Sequence, residues 1–125
     1  PNINDLSTMI FDLLQHLDQG TSKTTALQHS LEHCPTEYKE SMEKALTTIE
    51  LDPFIETYSG VACGLEQSLP LIYYIINHTN SWEDALVLNA TLGGASSARG
   101  IFISAIISRY EEIPEHYQKL LNYHI

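Results

Sequence analysis

Positive charge is scarce in this sequence. Six lysines and arginines face sixteen aspartates and glutamates across 125 residues, a formal net charge of −10. Cations so few, strung from Lys23 to Lys119, assemble no basic patch. That excludes unaided nucleic-acid binding and disfavours an anionic membrane surface. Long apolar runs are missing too: the longest, Leu69 to Ile76, contains Pro70 and falls far short of the roughly 20 residues a bilayer requires. Two cysteines, Cys34 and Cys63, are too few for a disulfide framework and point to a reduced, cytoplasmic setting. There is no initiator Met and no basic leader, and the chain opens inside a helical pattern. The expectation is one all-helical unit over 1–125, a fragment of a larger domain.

What is present is helical periodicity. Ile3, Leu6, Ile10, Leu13, Leu14 and Leu17 recur at helical spacing before Gly20. A second stretch opens after Thr21-Ser22, carries Leu27, Leu31 and Cys34, and stops before Pro35. The third is expected from Thr36 to Glu50, with Tyr38, Met42, Ala45, Leu46 and Ile49 on one face. Leu51-Asp52-Pro53 breaks the pattern, and Gly60 and Gly64 flank a turn. From Glu66 to Asn77 the chain reads as an apolar helix with Pro70 in its first turn. Ser81-Trp82-Glu83-Asp84 opens another, through Asn89. Gly93-Gly94 interrupts. Ala98 to Tyr110 follows with Ile101, Phe102, Ala105 and Ile106 inward, and Ile113-Pro114-Glu115 begins a last helix carrying Tyr117, Leu120 and Leu121. No segment alternates as a half-buried strand does. The fold class is all-α, a compact multi-helix bundle.

Few residues carry recognisable chemistry. His29-Ser30-Leu31-Glu32-His33 matches H-x-x-E-H, whose two histidines project from one helix face as a zinc ion needs. The motif also wants a third ligand on a distant helix and a substrate cleft, so the pair reads as solvated or packing. His16, His78, His116 and His124 read as isolated. Cys34, beside His33, and Cys63, between Ala62 and Gly64, lack neighbours that clearly activate a thiolate. Glu111, Glu112 and Asp84 read as solvated carboxylates.

The stretch from Asn89 to Gly100 is richer. Two glycines and two hydroxyls lead straight into an apolar helix. Backbone N–H groups and the positive helix end suit a phosphate there, and Ser96 or Ser97 equally suits a plain N-cap. Arg99, one of two arginines, has a phosphate or a carboxylate as alternative partners.

From Ser59 onward the sequence resembles the C-terminal part of the ADP-ribosylglycohydrolase family. The features that carry it are Gly60-Val61-Ala62-Cys63-Gly64-Leu65-Glu66-Gln67-Ser68-Leu69-Pro70, Trp82-Glu83-Asp84-Ala85-Leu86, Asn89-Ala90-Thr91-Leu92-Gly93-Gly94 and Ile113-Pro114-Glu115-His116-Tyr117. In order they are similar to the family's glycine turn with its SLP helix, an acidic helix start, an N-x-x-GG loop and a terminal IP helix. The resemblance implies an all-helical hydrolase that cleaves ADP-ribose from modified side chains with two magnesium ions, whose ligands position a water against the sugar.

In the family the glycine pair typically precedes Asp-Thr-Asp-Thr, which binds the metals. Here the metal positions fall on Ala95, Ser97 and Ala98, and Ser96 alone keeps a possible oxygen ligand. The family's N-terminal Gly-Asp segment and Thr-Asp-Asp-Thr motif are not in these residues, and bulky Ile101, Phe102 and Ile103 replace small ones. Magnesium normally takes one or two carboxylates. The expectation is therefore no bound magnesium, no cofactor and no catalytic residue in this chain. An ADP-ribose-like ligand would fall to Gly60, Gly64, Gly93, Gly94, Ser96, Ser97 and Arg99. The alternative is a non-catalytic helical interaction module with an exposed apolar patch that self-associates or takes a missing N-terminal half.

Overall fold

The computed structural model describes residues 3–52, 54, 65–93 and 96–115, and among them the protein is all-helical, with no strand. The helices are α1 (Ile3–Asp18), α2 (Lys23–Ser30), α3 (Thr36–Thr47), α4 (Leu65–His78), α5 (Trp82–Leu92) and α6 (Ser96–Ile107); a 3-10 turn, Leu31–His33, continues α2. None of the described helices is long and apolar enough to cross a membrane.

Helix α4 is the axis of the bundle. Every residue from Ser68 to Ile76 is buried, so the helix is covered all round, as its nearly continuous apolar run requires. It packs against α3 most extensively and also against α2, α5 and α6, while α1 lies on α2 and α5 on α6. Pro70 is the sixth residue of α4 and not a first-turn residue, because the helix starts at Leu65. Proline removes one backbone bond there, and burial of the surrounding turns offsets the loss.

The caps follow the sequence. Ser22 accepts from Thr25 N–H at 3.4 Å and starts α2, and Ser81 accepts from Asp84 N–H at 3.1 Å and starts α5. Gly93 ends α5 with φ +69°, a torsion that L side chains rarely adopt. Buried polar links join helices. Ser30 Oγ donates to Leu27 O at 2.7 Å, so its single proton is committed and Tyr73 OH, 2.6 Å away, must donate to Ser30. Trp82 Nε1 donates to Ser104 Oγ at 2.8 Å, tying α5 to α6.

Expectations for three helices need correcting. Helix α3 ends at Thr47 and not Glu50, since Thr48 is extended (ψ 132°) within the β-branched run Thr47-Thr48-Ile49. Ile49 therefore leaves the core face and is 83% exposed; its carbonyl accepts from the Tyr74 hydroxyl. Helix α6 starts at Ser96 and buries Arg99, Ile103, Ile106 and Ile107, an i, i+4, i+7, i+8 face. Phe102, expected inward, is 39% exposed, and Ile101 and Ala105 are only half-buried. The helix is rotated because Arg99, expected to meet a phosphate or a carboxylate, occupies the core side. Helix α5 runs to Leu92, three residues past Asn89. The expected last helix beyond Glu115 lies outside the described residues.

Candidate functional site

The turn between α5 and α6 is built around two buried polar side chains. Asn89, in the last turns of α5, is 4% exposed, and Arg99, in the first turn of α6, is 1% exposed. Asn89 Oδ1 accepts from Arg99 Nε at 2.8 Å, while Asn89 Nδ2 donates to Ser96 O at 2.7 Å. Arg99 Nη2 donates to Gly93 O at 2.5 Å. One asparagine and one arginine thus bind the Gly93 and Ser96 carbonyls of the turn. Gly100 completes the fit: a Cβ there would sit 3.4 Å from Asn89 Nδ2, an atom its own hydrogen bond holds in place.

The guanidinium therefore faces the protein's own turn. Ser96 is half-buried and contributes its carbonyl to Asn89, and Ser97 and Ala98 are exposed on the outer side of α6. Gly60, Gly64, Gly94, Ala95 and Cys63 lie outside the described residues. The donor set of this turn fits magnesium poorly. Ala95 and Ala98 have no side-chain oxygen, and a buried cation already occupies the Gly93 carbonyl.

Cys34 is a half-buried free thiol that donates weakly to Pro35 O at 3.4 Å. Burial pushes its pKa up, with Lys39 opposing and Glu43 adding to the rise, which disfavours the thiolate a nucleophile needs. Glu111 is not a solvated carboxylate alone: its Oε2 accepts from Trp82 N–H at 2.6 Å, at the positive end of α5.

A second polar cluster, on the α1–α2 side, is more organised than its residues announced. Asp12 of α1 is its centre, with a side chain only 12% exposed. Its Oδ2 accepts from His29 Nδ1 at 2.9 Å; its Oδ1 lies 3.5 Å from His16 Nδ1 and 3.6 Å from His33 Nε2. The His16 and His29 rings are 4.2 Å apart, so neither His16 nor the His29–His33 pair stands alone. The hydrogen bond to Asp12 raises the pKa of His29 against some desolvation, with the charges of Asp12 and Glu32 adding to the rise. His78 is a packing residue, stacked on Tyr74 with ring centroids 4.0 Å apart. The i, i+4 spacing of Asp12 with His16 and of His29 with His33 was the available signal; that the two pairs face one another was not. Set against family models, curated proteins and solved structures, the chain matches none.

Proposed function

We propose that this chain is an ADP-ribosylglycohydrolase-like helical unit that does not by itself carry out the family's reaction, and that its glycine turn serves as a structural joint. The observation that carries the reading is the inward Arg99. In a loop that cradles metal and substrate, polar groups point out at the ligand; here the most polar side chain of the loop points in, onto Asn89 and Gly93. The sequence order supports the frame: the SLP helix is the buried axis α4, and the Asn89–Gly93 stretch ends α5 with a left-handed glycine. Alanine at two of the three family metal positions supports loss of hydrolysis.

The test is turnover of an ADP-ribosylated peptide in the presence of magnesium. Release of ADP-ribose above the uncatalysed rate would refute the proposal. A thermal-shift titration with ADP-ribose in EDTA then separates its two forms: a rise in Tm assigns a retained nucleotide pocket, and an unchanged Tm assigns a scaffold for helical interaction.

A further inference from the structure

We infer that Asp12, His16 and His29 form a binding site for a divalent transition cation of the zinc class, with His33 adjoining it. One ligand atom from each of the three lies within 4.8 Å of the other two. Ligand atoms on a tetrahedral zinc ion, each about 2.0–2.1 Å from the metal, stand about 3.4 Å apart, so small rotamer changes of these side chains close the set.

The arrangement follows from the fold. Asp12 and His16 share a face of α1 one turn apart, and His29 and His33 are likewise spaced across α2 and the 3-10 turn. The packing of α1 on α2 brings the two pairs together. The preparation goes further than proximity. His16 Nδ1 donates to the Asp12 backbone carbonyl at 2.9 Å, which fixes the tautomer and leaves Nε2 bearing the lone pair. A histidine whose other nitrogen is held by a carbonyl is the usual form of a metal-ligating imidazole.

The chemistry selects the ion. Two or three imidazoles with one carboxylate suit zinc, cobalt, nickel or copper, whereas magnesium and calcium want several oxygens. Asp12 is the deepest member and His29 and His33 are each 41% exposed, so ligands come from one side and water from the other. Three protein ligands plus water is the open type of zinc coordination. A protein of charge −10 also concentrates cations at its surface. The bound ion would clip α1 to α2. The site uses neither the glycine turn nor its helices, so it stands or falls separately from the hydrolase-like reading.

The experiment is a calorimetric titration of EDTA-stripped protein with zinc at neutral pH, in a Cys34→Ser, Cys63→Ser background that removes thiol ligands. One equivalent is expected to bind, magnesium is expected not to displace it, and zinc is expected to raise the Tm. Asp12→Asn and His29→Gln, checked as folded by circular dichroism, are each expected to weaken binding at least about tenfold, while His78→Gln, at a ring stacked on Tyr74, leaves it unchanged. Absence of saturable binding, or a loss smaller than tenfold in either Asp12→Asn or His29→Gln, overturns the site and leaves a hydrogen-bonded Asp–His cluster.

Discussion

Arg99 is a cation held inside an acidic protein, and its surroundings show what it does there. Its donors meet the Asn89 side chain and the Gly93 carbonyl, so replacing it leaves the buried Asn89 Oδ1 without this partner and opens a cavity the length of an arginine. Arg99→Ala is expected to lower unfolding stability by about 3 kcal/mol or more in urea denaturation. Arg99→Lys cannot reproduce the planar fork and is expected to lose about 1–3 kcal/mol. An Arg99→Ala loss below about 1 kcal/mol would show that the turn does not depend on it. The Ser30–Tyr73 pair gives an asymmetric test. Tyr73→Phe leaves Ser30 still donating to Leu27, whereas Ser30→Ala strands a buried hydroxyl, so the serine variant is expected to cost more, about 1–3 kcal/mol. Cys34 supplies the pH dependence. Because burial raises its pKa, less thiolate is present at a given pH than in a free peptide. Alkylation mapped to Cys34 by mass spectrometry is expected to be slow near neutrality and to climb only at pH above the ordinary thiol range; a peptide-like pH profile would contradict the burial argument.

Elements were legible wherever a local rule settled them. Ser22 and Ser81 were readable as caps because a hydroxyl before an apolar-periodic run has one dominant use, and both do that work. Ser81→Ala is accordingly expected to cost about 1 kcal/mol in thermal or urea unfolding. Gly93 was readable as a break, and Gly93→Ala is expected to be destabilising because of its φ of +69° and not because of crowding, since a Cβ there would meet open space. The errors came where tertiary contacts override local pattern. Periodicity alone carries α3 on to Glu50, while the chain instead turns out and gives the Ile49 carbonyl to Tyr74, a residue 25 positions away. Hydrophobicity alone placed Phe102 inward, while the buried face of α6 is set by Arg99 and its bond to Asn89. The Asp12 cluster escaped for the same reason: each pair is visible in sequence, and their meeting depends on how α1 crosses α2.

At the scale of the whole molecule, the helices wrap one buried axis, α4, and polar organisation concentrates in two places. On one side Asn89 and Arg99 tie the α5–α6 turn from within. On the other, three imidazoles gather round the carboxylate of Asp12, open to solvent. The large apolar side chains that stay exposed among the described residues, Phe11, Ile49, Val87, Phe102 and Tyr110, belong to different elements, and they are the positions at which self-association would first be sought by mutation to polar residues. The central claim concerns the first place: a turn closed by its own guanidinium is not a cradle for hard cations. Isothermal titration of the metal-stripped protein with magnesium tests it most directly. No saturable heat at millimolar magnesium is the predicted result, and two tight magnesium sites would contradict it.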